Sequence, residues 1–144
     1  MRKKSSDKLE MTVESRTDRL ILVRDFVSDA AGKFGFNDEE VSKIALAVDE
    51  ACSNIIKHAY RFAVNKIIDI EILMKDGRFE VVITDDGLRF DPDLVELSNM
   101  KEYLKQYHQT GFGMYLMKSL MDEVEYTIKP GRKNEVRLIK FLQQ

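Results

Sequence analysis

Hydrophobic and polar residues repeat with two different periods along this chain, and the changes of period divide it into strands and helices. Residues 9–13 alternate apolar and polar side chains, which predicts a short strand. Between residues 20 and 34 the apolar residues recur every three or four positions, which predicts a helix. Ser15 is the expected cap of this helix and Gly35 its expected end.

A second predicted helix carries the clearest start signal in the sequence. Asn37 is a favourable N-cap residue, and Glu40, three positions later, completes a capping box. Phe36 and Val41 occupy the two positions of a hydrophobic staple. Apolar residues then continue at helical spacing, so we expect this helix to run to about Tyr60.

A β-hairpin is predicted around the dipeptide Asp76-Gly77, which is a strong signal for a two-residue turn. Such a turn pairs Lys75 with Arg78. The same register places Met74 opposite Phe79, Ile72 opposite Val81 and Ile70 opposite Ile83. The apolar partners all fall on one face, which the helices must cover.

Residues 88–110 have no sustained period, and a connection of this length is usually a functional loop or lid. A helix should follow from Gly111-Phe112-Gly113 to about Met121, and then two strands around the turn at residues 129–132. The order of elements predicts an α+β fold: a two-layer sandwich with a mixed, mostly antiparallel sheet covered on one face by helices. We expect a flexible tail at residues 1–8 and a single domain at residues 9–144.

Composition narrows the range of functions. The chain has 144 residues, a net charge of −2 and one cysteine. A lone cysteine excludes a disulfide framework and a cysteine-based zinc site, so a reducing cytoplasm is expected. No apolar run approaches the roughly 18 residues of a membrane span. The near-zero charge gives no general attraction to nucleic acid or to anionic membranes.

The polar face of the second helix is the first segment that could carry chemistry. At about 100° per residue, Asn54 lies about 40° from Glu50, and His58 about 40° further on. These side chains could simply form a solvated helix face. Alternatively, Glu50 is a base beside Asn54, which would offer a neutral oxygen ligand to Mg²⁺.

The second segment is Thr84-Asp85-Asp86-Gly87, at the end of an apolar strand. Aspartate and glycine are common turn residues, so Asp85 could merely end the strand. Alternatively, Asp85 accepts a hydrogen bond from an exocyclic amine such as that of adenine, and Gly87 lets the backbone approach the ring.

The third segment is Gly111-Phe112-Gly113-Met114 at a predicted helix start. Helix N-termini attract phosphate because their free N–H groups and the helix dipole point towards it. Two glycines around one residue are a weak signal alone. The eight-residue phosphate loop and the complete dinucleotide fingerprint are both absent from the sequence.

Taken together, these segments resemble the motifs of the GHKL ATPases, and most closely those of the bacterial anti-sigma factor serine/threonine kinases. The resemblance covers roughly residues 11–141. The stretch at residues 47–60 is similar to the family's N box, Asp85-Asp86-Gly87 to the first glycine box, residues 111–124 to the second, and residues 134–138 to the closing strand.

The resemblance implies a histidine-kinase-like ATPase domain of the Bergerat fold that binds ATP or ADP with Mg²⁺. Glu50 would be the general base for a serine hydroxyl, and Asn54 the magnesium ligand. Asp85 would bind the adenine amine with the support of Gly87. The remaining nucleotide-binding positions would be His58, Thr110, Gly111, Phe112, Gly113 and Met114, with an ATP lid at about residues 91–110.

The family's partners imply a role in a partner-switching circuit of the cytoplasm. The expected substrate is an anti-anti-sigma protein of the STAS type, and the expected second partner is a sigma factor. A homodimer is also expected, without direct contact to nucleic acid or membrane. One alternative is a binding module of the same fold that holds ATP or ADP without phosphoryl transfer. The catalytic fragment of a histidine kinase is a weaker alternative, because 144 residues leave no room for a dimerisation helix.

Overall fold

The computed structural model describes residues 6–87, 113–127 and 133–143. Within these residues five strands form one sheet in the order β1-β2-β3-β5-β4, and every neighbouring pair is antiparallel. The strands are β1 (Ser6–Glu14), β2 (Ile67–Lys75), β3 (Arg78–Asp85), β4 (Glu123–Thr127) and β5 (Asn134–Phe141). The helices are α1 (Leu20–Phe34), α2 (Asp38–Asn54) and α3 (Gly113–Leu120). The predicted α+β fold is confirmed.

The central hairpin has the predicted register. Lys75 pairs with Arg78, and the three predicted apolar pairs follow in step. Asp76 and Gly77 have φ angles of 48° and 78°. Both are therefore left-handed, as the tight hairpin turn predicted for this dipeptide requires.

The first strand is longer than its apolar alternation suggests. It begins at Ser6, which pairs with Lys75, and continues to Glu14, which pairs with Ile67. Residues 6–8 were expected in the tail but belong to the sheet, because the edge of β2 offers hydrogen-bond partners along its whole length. The Nζ of Lys8 also lies 2.9 Å from a carboxylate oxygen of Glu71 on β2.

The core lies between the helices and one face of the sheet. Alternate residues of β2 and β3 are fully buried against apolar residues of α1 and α2; they are Ile68, Ile70, Ile72, Phe79, Val81 and Ile83. Cys52 of α2 is buried in the same core. A partly buried ion pair joins the two helices, with Nη2 of Arg24 2.7 Å from Oδ2 of Asp49.

The start of α2 confirms the predicted N-cap. The Oδ1 of Asn37 accepts a hydrogen bond from the backbone N–H of Glu40 at 2.9 Å. The Glu40 carboxylate does not return to Asn37 as a full capping box requires. It lies 3.1 Å from Nζ of Lys140 on β5, so it attaches the helix to the sheet.

The prediction for Ser15 is wrong. Ser15 is fully buried, and its hydroxyl donates to the carbonyl oxygen of Ala63 and accepts from the N–H of Lys66 at 3.3 Å. It therefore fixes the loop before β2 to the end of β1. A 3₁₀ turn at Thr17–Arg19 leads into α1 instead, and α1 ends at Gly35 as predicted.

We expect Ser15→Ala to lower the free energy of unfolding by about 1–3 kcal/mol, because two backbone groups lose their buried partner. Chemical denaturation measures this change. Ser42→Ala is the matched control, since Ser42 is exposed on α2 and should change stability by less than about 0.5 kcal/mol. Equal stability of the two variants would contradict this role of Ser15.

Candidate functional site

The C-terminal half of α2 positions Glu50 and Asn54 one turn apart. Glu50 is half-buried and makes no ion pair or hydrogen bond to another described residue. The neighbouring acid, Asp49, is instead engaged by Arg24. Of two adjacent carboxylates, Glu50 is therefore the one available for chemistry.

Asn54 is an unusual residue for the end of a helix. The residue is 2% exposed, and its Nδ2 atom has no hydrogen-bond partner within the described ranges. A buried polar atom without a partner costs free energy, so such atoms are rare and point to a missing ligand. A half-turn of the amide exchanges its nitrogen and oxygen ends, and the oxygen is a ligand type that Mg²⁺ accepts.

The remaining donors for a metal would have to come from elsewhere. The part of the chain that the structure describes holds no group of three or more histidine, cysteine or acidic side chains that could bind a metal. Mg²⁺ is commonly held by one or two protein oxygens together with water and substrate phosphates. The isolated Asn54 amide fits that kind of site.

The backbone changes from an α-helix to a π-helical turn immediately after Asn54. Ile55–Ala59 form a π-helical turn, in which the N–H of Tyr60 donates to the carbonyl oxygen of Ile55 at 2.8 Å. The α-helical spacing that placed His58 beside Asn54 therefore does not hold here. His58 is half-buried, and burial, with a smaller contribution from Lys57, lowers its pKa. At neutral pH it is a hydrogen-bonding group, not a cation.

Asp85 ends β3 in a buried position, with 4% of the residue exposed. Its Oδ1 accepts hydrogen bonds from the N–H of Gly87 at 2.8 Å and from Nδ2 of Asn134 at 3.2 Å. The first bond is the turn-closing contact that the sequence suggested as the plain alternative. The two bonds together also orient the carboxylate, which any role in recognising a ligand amine would require.

Tyr60 is a residue that the sequence reasoning placed only at the end of a helix. Its buried hydroxyl donates to the carbonyl oxygen of Ile67 and accepts from the N–H of Asp86, both at 2.6 Å. Burial raises the pKa of this phenol to about 12. The tyrosine thus joins the end of the helix that carries Asn54 to the turn at residues 85–87. A buried tyrosine hydroxyl generally needs a hydrogen-bond partner, and this need is the sequence feature that could have indicated the role of Tyr60.

Asn134 is a second residue whose local role was missed. It is buried directly opposite Asp85 in the β3–β5 register, and no described residue forms a hydrogen bond with its Oδ1 atom. The signal in the sequence is a polar residue in phase with the inward-facing Val136 and Leu138.

The third predicted segment is only partly described. Thr110, Gly111, Phe112 and the lid at residues 91–110 lie outside the described residues. Helix α3 begins at Gly113, continues through Met114 and packs against α2. The structure therefore links the end of the helix that carries Asn54 to the turn after Asp85, through the Tyr60 hydroxyl and the N–H of Asp86, and places α3 against α2.

Comparison with known proteins gives the chain a family. The family model described as "Histidine kinase-like ATPase domain" matches residues 13–140. The serine-protein kinase RsbW of Bacillus subtilis is 32% identical over 127 residues, covering 85% of this chain and 79% of the relative. RsbW of Bacillus cereus is 27% identical over 147 residues, covering 96% and 87%.

Solved structures also share the fold of this chain. The RsbU and RsbW domains of a Mycobacterium tuberculosis protein match with a TM-score of 0.65 and 16% identity, over 94% of this chain. This chain spans only 32% of that longer chain. A chain of the SiaB–SiaC complex from Pseudomonas aeruginosa matches with a TM-score of 0.60 and 12% identity, over 93% of this chain and 89% of the other.

Among the described helices none is long and apolar enough to cross a membrane. The family match includes α2, which carries Glu50 and Asn54, and β3, which ends at Asp85. An ATPase domain of this kind implies that ATP binds. On this basis the chain belongs to the histidine kinase-like ATPase family, in the group of the anti-sigma factor serine-protein kinases.

Proposed function

We propose that this protein is an ATP-dependent serine protein kinase that phosphorylates an anti-anti-sigma protein and sequesters a sigma factor. The observation that carries the proposal is the pair on α2: a Glu50 carboxylate that has no partner among the described residues, one turn before the buried, incompletely bonded Asn54 amide. The names of the relatives, serine-protein kinases, support the reaction class.

Different residues of the site would bind different parts of the nucleotide. ATP would supply the phosphoryl group, and Mg²⁺ would neutralise the charge of the phosphates. Asn54 would provide the protein oxygen for the metal. Asp85 would accept a hydrogen bond from the purine amine, while Gly87 allows close approach of the backbone. The phosphates would meet the segment that leads into α3 and the first residues of that helix, namely Thr110, Gly111, Phe112, Gly113 and Met114.

Phosphoryl transfer depends mainly on positioning the reacting groups. Glu50 would orient the serine hydroxyl of the substrate and accept its proton. Asp49 is a poor alternative, because its carboxylate is held by Arg24. A neutral His58 would contribute a hydrogen bond near the nucleotide and add no charge to it.

We further propose a partner-switching role in the cytoplasm, with a STAS-type anti-anti-sigma protein as substrate and a sigma factor as the alternative partner. The RsbW relatives and the similarity to a chain of the SiaB–SiaC complex support this assignment. A homodimer is part of the same proposal.

The proposal is tested by incubating the protein with γ-labelled ATP and candidate anti-anti-sigma proteins. Transfer of the label to a serine of one candidate is the expected result. ADP binding without transfer to any candidate would favour the alternative of a nucleotide-gated binding module. Failure of the wild-type protein to bind ADP would contradict both functions.

We expect Glu50→Gln to slow phosphoryl transfer about 10²–10⁴-fold while ATP still binds, because the amide cannot accept the proton. Single-turnover transfer and calorimetric titration measure the two effects separately. Glu39→Gln is the matched control: Glu39 lies exposed on the same helix and forms an ion pair with Lys43, so transfer should be unchanged. Full activity of the Glu50 variant would refute its role as base.

We expect Asn54→Ala to abolish the magnesium-dependent part of ADP binding and to leave binding without Mg²⁺ intact. Titration of ADP with and without Mg²⁺, on wild type and variant, measures this difference. The variant should remain folded with stability within about 1 kcal/mol of wild type, because it removes an amide whose Nδ2 atom no described residue binds. Unchanged magnesium dependence in a folded variant would exclude Asn54 as the ligand.

A further inference from the structure

We infer that Tyr60 is a positioning residue for the nucleotide: its hydroxyl holds the turn at residues 85–87 in the conformation that receives the purine, and ties that turn to the helix of Asn54. The inference rests on the proposed function, since it assigns Tyr60 to the purine end of that site. It adds a residue that need not touch the nucleotide itself.

The turn is held at two consecutive backbone amides. The N–H of Asp86 donates to the Tyr60 hydroxyl at 2.6 Å, and the N–H of Gly87 donates to Oδ1 of Asp85 at 2.8 Å. The side chain of Asp86 is exposed, so its backbone is the anchored part of the residue. Without the tyrosine hydroxyl, one of the two amide contacts that shape the turn would be lost.

Tyr60 itself is firmly fixed. Its N–H donates to the carbonyl oxygen of Ile55 and its carbonyl oxygen accepts from Ala63, at 2.8 and 2.9 Å. Its hydroxyl also donates to the carbonyl oxygen of Ile67 at 2.6 Å, at the start of β2. The hydroxyl therefore presents a lone pair to Asp86 from a rigid position between α2 and the sheet.

The hydroxyl keeps its proton under ordinary conditions. Burial is the main cause that raises its pKa to about 12. The phenol therefore remains neutral, donating one hydrogen bond and accepting another, between about pH 6 and about pH 9. The contribution of Tyr60 to nucleotide binding should be constant over this range.

Tyr60→Phe tests the inference, because phenylalanine fills the same space and removes only the hydroxyl. Ser15→Ala is the matched control. Ser15 holds the same loop through Ala63 and Lys66 but donates nothing to the turn at residues 85–87. Each variant removes a buried hydroxyl that makes two hydrogen bonds to the backbone, so both should be less stable in thermal unfolding.

We expect Tyr60→Phe to weaken ADP binding about tenfold, and Ser15→Ala by less than about twofold. The loss should be the same for adenosine as for ADP and independent of Mg²⁺, unlike the loss expected for Asn54→Ala. In the transfer assay, the KM for ATP should rise while kcat changes little. Hydrogen exchange should be faster at the Asp86 amide in the Tyr60 variant alone.

Three results would overturn the inference. Equal weakening of ADP binding in the two variants would assign Tyr60 to stability only. Unchanged ADP binding in Tyr60→Phe would show that the turn does not need the hydroxyl. If wild-type protein binds neither ADP nor adenosine, the proposed function itself fails, and that result is distinct because it needs no variant.

Discussion

Buried polar groups need hydrogen-bond partners, and this constraint shapes the end of the sheet at which the candidate site lies. Asp85 ends a strand whose inward-facing residues are apolar, yet it is itself buried. Its carboxylate is compensated by Gly87 from its own turn and by Asn134 from the neighbouring strand. The hydroxyl of Tyr60 accepts a hydrogen bond from the backbone N–H of Asp86, the residue after Asp85. A local group of hydrogen bonds thus allows a charged residue to occupy the edge of the core.

The polar atoms that remain without partners are as informative as the bonded ones. Nδ2 of Asn54 and Oδ1 of Asn134 are both buried and lack a hydrogen bond to any part of the chain that the structure describes. Elsewhere in the described core, Ser15 shows that the chain readily satisfies a buried hydroxyl. These two amide atoms are therefore better explained by a polar ligand than by poor packing.

The elements that could be predicted from the sequence are those fixed by neighbouring residues. The hairpin register follows from Asp76-Gly77 and the alternation on either side, and the Asn37 cap from the three residues after it. The resemblance of the motifs also led to the correct family. The roles of Ser15, Tyr60 and Asn134 were missed because their partners lie 48, 26 and 49 residues away in sequence. Propensities carry no information about contacts of that range.

The expectation that His58 lies beside Asn54 on a continuous α-helix is also wrong. A helical wheel at a constant angle per residue treats residues 50–58 as one α-helix. After Asn54, however, the backbone forms a π turn, in which hydrogen bonds join residues five positions apart. Single π turns are rare and occur frequently at functional sites. Here the wider turn ends at the N–H of Tyr60, and the same residue reaches both β2 and the turn after β3. The π turn thus ends at Tyr60, whose hydroxyl binds the backbone of Asp86 directly after Asp85. The departure from α-helical geometry therefore lies between the helix that carries Asn54 and the turn that follows β3.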